Sequence, residues 1–486
     1  MKIKQLMQDI EYKVLGGDTN VDISSVCYDS REVKDGSLFI CLTGFRSDGH
    51  DYIDAALKNG AKALLVEREV DAPSGICVVM VKNTRAALPY ISANFFNHPA
   101  DSLRLVGVTG TKGKTTTTHM IKSILEAAGK KVGMIGTIGV FYGDQYVETS
   151  NTTPESYELQ KFFAQMKEAG CEIVLMEVSS QSTKTHRIDG LHFAIGAFTN
   201  LSPDHISPGE HADFEEYKNC KKAFFSQVDK AVTNIDDKYG LEMVGAAKEY
   251  KTTSSKGSAD FCADKIDNIL EKDLIGVSFD MHGEIEQHMT TGVPGLHNVE
   301  NALTAAAVAT YLGADAKAVA EGLRNVVIKG RTQIVKEALD RGYFIIDYAH
   351  NEVSTESTLS TLKQYNPSKI TAVFGSGGAR ALERRFGTGR AAAKYADYII
   401  LTADNPRFDE IDDINKTIIE GINVYGCPFE VIYDRKEAIE HMLDISKPGE
   451  MVVMMGKGHE TYQEVKGVKT HFSEEEIIKA YMKEHS

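Results

Sequence analysis

Apolar runs of strand length alternate along this chain with stretches that carry apolar residues at helical spacing. Leu103–Val108, Lys131–Ile135, Glu172–Glu177 and Phe193–Phe198 read as strands. Thr115–Ala128, Ser156–Ala169 and Phe214–Val228 read as helices, as does the Ala-rich stretch Asn298–Leu312. Such alternation implies a mainly parallel sheet covered by helices, which binds its ligands at the carboxyl ends of its strands. Residues 1 to 101 read as a smaller α/β unit, with a helix over Asp54–Asn59, Gly60 as its stop and a strand over Ala61–Val66. Asn97-His-Pro-Ala-Asp-Ser102 reads as a linker. After Gly330-Arg331 a third alternating unit begins, with strands near Phe344–Ile346, Ile370–Phe374, Tyr398–Leu401 and Met451–Met455. The expected architecture is therefore α/β in three domains, residues 1–101, 102–330 and 331–486.

Composition narrows the partners. The chain has 486 residues and a net charge of −15, which argues against a general nucleic-acid binder. None of its seven cysteines forms a C-x-x-C pair, so neither a zinc knuckle nor a disulfide framework is suggested and a reducing cytosol fits. No apolar signal core opens the chain and no apolar run approaches membrane-spanning length. The expectation is a cytoplasmic protein without membrane contact.

The richest chemistry lies in Thr109-Gly110-Thr111-Lys112-Gly113-Lys114-Thr115-Thr116-Thr117, between a strand and a helix. Glycines there let backbone N–H groups wrap an anion at a helix N-terminus. Lys114 is expected to reach the β- and γ-phosphates of a nucleotide, and a following threonine to ligate magnesium. Glu177 ends a buried-type strand, which is either a solvated strand end or a carboxylate offered to magnesium. Asp204-His205 follows another strand at the same edge. Lys221 shares a helix face with Tyr217, Phe224 and Phe225. Such a lysine either snorkels or faces a site, where desolvation favours the neutral amine and lets it form a carbamate with carbon dioxide. Asp347-Tyr-Ala-His350, Gly375-Ser-Gly-Gly-Ala-Arg380, Asp404-Asn-Pro-Arg407 and Gly456-Lys-Gly-His-Glu460 each follow an apolar run, as one side of a substrate cleft would.

Taken in order, these runs resemble the Mur ligase family, ATP-dependent enzymes that join an amino acid to a carboxylate. Asp29-Ser30-Arg31, Gly44-Phe-Arg-Ser-Asp48-Gly49-His50, Asn151-Thr152-Thr153-Pro154, Glu177-Val-Ser179-Ser180, Phe198-Thr-Asn200-Leu and Asn298–Asn301 extend the likeness over essentially the whole chain. The resemblance implies a small N-terminal α/β domain, a central phosphate-loop-type sheet and a C-terminal Rossmann-like domain. It implies that Ser30 holds the uridine diphosphate end of a UDP-muramoyl dipeptide, and that Asn151, Thr152, Thr153, Ser179 and Arg187 hold the muramoyl-dipeptide. Gly110 to Thr116, including Thr111, Lys112, Gly113, Lys114 and Thr115, would serve ATP. Asn301 would contact adenine, and Arg331, Asp347 and His350 would lie near the nucleotide. Glu177 and His205, with Thr115 and a carbamylated Lys221, would hold magnesium, with two ions expected. Arg380, Asn405, Arg407, Gly456 and Glu460 would grip the incoming diamino acid in a monomeric enzyme.

Within the family the pattern is most similar to the branch that adds a third residue, diaminopimelate. A guanidinium at 407 matches the distal carboxylate that lysine lacks. Gln181, Ala379, Ala381 and Phe408-Asp409-Glu410 depart from the usual pattern, as does the run Ser202–His211. Lysine as the amino acid, a folate polyglutamylating relative and a non-catalytic nucleotide binder are the competing readings.

Overall fold

The computed structural model describes residues 1–44 and 47–485; Phe45 and Arg46 of the Gly44–His50 run lie outside the described residues. The chain divides into two compact units. One comprises residues 1–263, 281–286 and 300–322, and the other residues 264–280, 287–299 and 323–486.

The first unit holds two sheets. Lys13–Gly16, Cys77–Met80, Ala61–Val66, Ser37–Ile40 and Ser25–Cys27 lie side by side in that order, with only the first strand antiparallel. In the larger sheet Glu249–Ser254, Val228–Asn234, Phe193–Phe198, Arg104–Thr109, Ile173–Glu177 and Val132–Gly136 run parallel, and the hairpin Gly139–Tyr142 and Gln145–Val147 continues it. Register decides what meets at the edge: Glu177 is level with Val108, and Phe198 with Thr109. The loops after three neighbouring strands therefore leave the sheet together, at its carboxyl edge.

Three helices explain themselves. Lys114–Ala127 starts on Gly113, held left-handed at φ 85, and buries Met120, Ile121, Ile124 and Leu125 along one stripe. Ser156–Glu168 buries Leu159, Phe162, Phe163 and Met166 at the same spacing. The helix expected over Phe214–Val228 is shorter. It runs Phe214–Phe224, tightens into a 3-10 turn over Phe225–Gln227, and Val228 already begins the next strand. The apolar run Phe224-Phe225 followed by Val228 carried the helical reading past its end. The expected linker Asn97–Ser102 contains a 3-10 turn over Pro99–Ser102, entered through left-handed Asn97 and His98.

The second unit is built on Gln333–Ile334, Tyr343–Asp347, Met451–Met455, Ile370–Phe374, Tyr398–Leu401 and Phe429–Val431, parallel except for the first. Both faces are buried, as in sheets made by helical crossovers. Ile345, Val453, Met455 and Phe374 join one core cluster, while Phe344, Ile346, Val452 and Met454 join the other. Asp347 is level with Met455, and Phe374 with Leu401. The four polar strand ends named above thus share one edge. All seven cysteines are unbonded. No helix among the described residues is long and apolar enough to cross a membrane.

Beneath that edge lies a buried ion pair. Arg435, 1% exposed, donates to Glu474 at 2.8 Å and to the carbonyls of Met455 at 2.8 Å and Ala403 at 3.3 Å. Removing one partner strands the other charge in a dry interior. Arg435→Met should cost about 3–5 kcal/mol of stability in urea unfolding, and the double change with Glu474→Met should recover most of it. An unchanged midpoint in the single variant would refute the pairing as a structural element.

Candidate active site

The glycine loop is held from below. Gly110 has φ 149, and a Cβ there would lie 2.0 Å from Thr199 Oγ1. The Thr111 N–H donates to the Asn200 carbonyl at 2.8 Å, and the Lys112 N–H to Asn200 Oδ1 at 2.9 Å. Thr111 Oγ1 also shares a 3.0 Å bond with the Tyr217 hydroxyl. Asn301 closes the other side: its Oδ1 would sit 2.3 Å from a Cβ on Gly113 and accepts from Thr117 Oγ1 at 3.3 Å. Thr116 is partly exposed at the helix start.

Lys114 folds back over this loop. Its Nζ donates to the carbonyls of Gly110 at 2.8 Å and Thr111 at 3.1 Å. The second lysine, Lys221, is 2% exposed and donates to the same Gly110 carbonyl at 2.9 Å. Its Nζ lies 4.8 Å from the centre of the Tyr217 ring. Burial, and then the Lys114 charge, hold the Lys221 ammonium well below its ordinary pKa. Burial lowers Lys114 too, with Glu177 opposing. Burial pushes the Tyr217 phenol up to about 12.

Glu177 is 1% exposed and fully engaged. It accepts from Thr115 Oγ1, the Thr137 N–H and Thr137 Oγ1, each at 3.0 Å. Gly136 makes its room, since a Cβ there would meet Glu177 Oε1 at 2.3 Å. His205, left-handed at φ 56, pairs with Glu210 at 3.0 Å and faces Tyr217, ring centres 6.0 Å apart. Lys114, Asn151, Thr152, Ser179, Arg187, His205 and Lys221 line one cavity of about 400 Å³. Seven expected residues from six chain segments thus converge. Thr153 stands behind them, its Oγ1 donating to the Glu177 carbonyl at 2.8 Å and accepting from the Ser179 N–H at 3.1 Å. Ser30 lines a separate cavity of about 620 Å³ with Tyr28, Phe39 and Tyr52.

In the second unit, Asn405 Nδ2 donates to Glu460 at 2.8 Å, and buried Lys457 reaches both Asn405 Oδ1 at 3.2 Å and Glu460 at 3.4 Å. Burial raises the Glu460 pKa, against the opposing charge of Lys457. Gly456 has φ 109, with Asp404 Oδ2 2.5 Å from where its Cβ would be. Arg407, also left-handed at φ 54, donates to Glu464 at 3.3 Å and to the Gly378 carbonyl at 3.0 Å. Arg380 is exposed. Asp347 is saturated by Thr332, Ala349 and Thr358, so it braces the loop carrying Arg331. Arg331 lies over the Tyr348 ring at 5.4 Å, and His350 stands against that ring with centres 4.7 Å apart.

Comparison with known proteins assigns the framework. Residues 22–98 match the description "Mur ligase family, catalytic domain", residues 108–309 "Mur ligase middle domain", and residues 330–458 "Mur ligase, glutamate ligase domain". The UDP-N-acetylmuramoyl-L-alanyl-D-glutamate–2,6-diaminopimelate ligase of Caldanaerobacter subterraneus is 41% identical, covering 100% of this chain and 99% of the relative. The chain belongs to the Mur ligase family. The protein of the same name from Clostridium perfringens is 38% identical over 98% of this chain and 99% of its own. A solved structure under that name superposes with a TM-score of 0.70 at 28% identity, covering 100% of this chain and 99% of the other.

Several residues of this Mur ligase's cleft have roles that only the fold gives. Thr137, Thr199, Asn200 and Tyr217 hold the phosphate loop and Glu177 through bonds from distant segments. Lys457, inside the Gly456–Glu460 run, was visible as a lysine flanked by glycines on a strand end. Thr199 and Asn200 lie in the Phe198–Leu201 run and Tyr217 on the Lys221 face, while nothing local marks Thr137.

The buried amine gives a pH signature. Lys221 is more easily deprotonated folded than unfolded, so the unfolded chain binds the extra proton and stability rises as pH climbs toward the unfolded lysine pKa near about 10.4. In bicarbonate-free buffer Lys221→Met should be more stable than the natural chain at pH about 7, with the gap closing toward pH about 10. A gap independent of pH would show that Lys221 carries no desolvation penalty.

Proposed function

We propose that this ATP-dependent ligase adds meso-2,6-diaminopimelate to the D-glutamate γ-carboxylate of UDP-N-acetylmuramoyl-L-alanyl-D-glutamate, in cytoplasmic peptidoglycan precursor synthesis. The observation that carries the reading is the convergence of Lys114, Lys221, Ser179 and Arg187 on one cavity beside the glycine loop. The names of relatives 41% and 38% identical over nearly the whole chain support the amino acid over lysine. The proposed division remains residues 1–101 for the UDP substrate, 102–330 for ATP and 331–486 for the amino acid.

A carboxylate is a poor electrophile, so it must first be activated. The γ-carboxylate oxygen attacks the γ-phosphorus of ATP, the bond to the bridging oxygen breaks, and ADP leaves an acyl phosphate. With the Thr111 and Lys112 N–H groups held by Asn200, the loop from Gly110 to Thr116 offers the polyphosphate the N–H groups at its helix N-terminus. Lys114 turns from its own carbonyls toward the transferring phosphoryl group and spreads its charge. The free amine then attacks the acyl carbon, gives up a proton, and the tetrahedral intermediate expels phosphate. Arg187 and Ser179 orient the dipeptide so that its carboxylate lies near the phosphoryl group.

The residues fit magnesium. Thr115 and Glu177 form a hydroxyl–carboxylate pair of hard oxygen donors beside the phosphate loop. His205 lies on the lining of the adjoining cavity, and Lys221, once carbamylated, contributes anionic oxygens. Bound magnesium, with two ions expected, supplies charge neutralisation for the phosphoryl group. The low pKa direction of Lys221 keeps the amine available for carbamate formation. For the amino acid, Arg407 offers its guanidinium to the distal carboxylate, and Glu460, Asn405 and the Gly456 turn receive the distal ammonium; Arg380 flanks them.

Phosphate release should require ATP, the UDP-muramoyl dipeptide and the amino acid together. In the same assay Lys114→Ala should abolish turnover, and Lys221→Ala should fall at least about 100-fold and recover partly with short carboxylic acids. Arg407→Ala should raise KM for diaminopimelate far more than for ATP. Equal use of lysine and diaminopimelate by the natural chain, or ATP binding without turnover on any acceptor, would overturn the assignment.

A further inference from the structure

We infer that Arg85 binds the diphosphate of the UDP substrate at the wall between the two cavities of the first unit. This rests on the reading of the substrate given above and assigns a residue that reading left out.

Arg85 lines both cavities, the one that holds Ser30 and the one that holds Lys114 and Lys221. The first, about 620 Å³, has the character of a nucleoside site: Tyr28 and Tyr52 supply aromatic side chains and Asp29 and Ser30 polar groups to its lining. The second, about 400 Å³, has the lysines of the reaction. A substrate with uridine at one end and a reacting carboxylate at the other must put its diphosphate between them.

The group at that position is a cationic triad. Arg187 Nε and Arg85 Nη1 lie 3.0 Å and 3.6 Å from the same oxygen of Glu155. Arg187 is further fixed to the Thr153 carbonyl at 2.9 Å, and Arg85 to the Thr43 carbonyl at 2.9 Å through Nε. Two guanidiniums on one carboxylate leave one positive charge in excess. Arg187 and Glu155 are 14% and 15% exposed, whereas Arg85 is 24% exposed. The Thr43 bond takes Nε, and Glu155 is the longer-range partner of Nη1, so the guanidinium edge is anchored yet loosely neutralised. That is the arrangement a planar fork needs to receive two phosphate oxygens.

The test is calorimetric titration of the full chain with UDP, uridine and the UDP-muramoyl dipeptide. The natural chain should bind UDP about tenfold or more tighter than uridine. Arg85→Gln should lose about that factor for UDP and leave uridine unchanged, and Arg85→Lys should fall between. In turnover, KM for the UDP-muramoyl dipeptide should rise about tenfold in Arg85→Gln with KM for ATP unchanged. Arg85→Gln that keeps the preference for UDP over uridine overturns the assignment, as does an equal loss for uridine and UDP. A natural chain that binds neither UDP nor the dipeptide overturns the substrate reading and this inference with it.

Discussion

The cleft of the first unit depends on one carbonyl. Gly110 O receives Lys114 from the helix that follows the loop and Lys221 from a helix more than a hundred residues away. Two ammonium groups on one oxygen repel each other in a poorly hydrated site. Release of the Lys221 proton relieves that conflict, and so does an anion brought to the loop. In the proposed reaction a polyphosphate would answer it from above, and a carbamate on Lys221 would answer it by reversing one charge. The loop is correspondingly rigid below: Thr199, Asn200 and Asn301 leave no space for side chains at Gly110 or Gly113.

The same logic builds the second unit. Its four polar loops leave one sheet edge, and the two that follow Leu401 and Met455 are tied to each other by buried charge: Lys457 between Asn405 and Glu460, and Arg435 beneath Met455 and Ala403. Left-handed backbone at Gly456 and Arg407 sets the turns. Arg407 is a costly place for a non-glycine conformation. A carbonyl of Gly378 and the carboxylate of Glu464 hold it there. Each unit thus spends packing and charge burial to fix side chains whose chemistry lies at the strand ends.

Much of this was legible in the chain. The central strands and the phosphate loop stand out because buried parallel strands are continuous apolar runs and glycine marks the turns. The cluster of Lys114, Asn151, Thr152, Ser179, Arg187, His205 and Lys221 was reached by motif order and gathered by topology. The true end of the helix at Phe224 was hidden, because Phe225 and Val228 continue the apolar spacing across the short 3-10 turn into the strand. Short edge strands such as Ser25–Cys27 and Gln145–Val147 carry too few residues for a period. The contacts of Thr137, Tyr217 and Arg85 were invisible for another reason. Their partners lie 40, 106 and 70 positions away, at Glu177, Thr111 and Glu155, and only the fold brings them together.

The most direct test of the central claim is a crystal structure of the chain with a non-hydrolysable ATP analogue and magnesium. The account requires the terminal phosphate to lie within hydrogen-bond reach of Lys114 Nζ and of the N–H groups between Gly113 and Thr116, with Lys114 released from the Gly110 carbonyl. A nucleotide bound elsewhere, with both lysines still on that carbonyl, would contradict it.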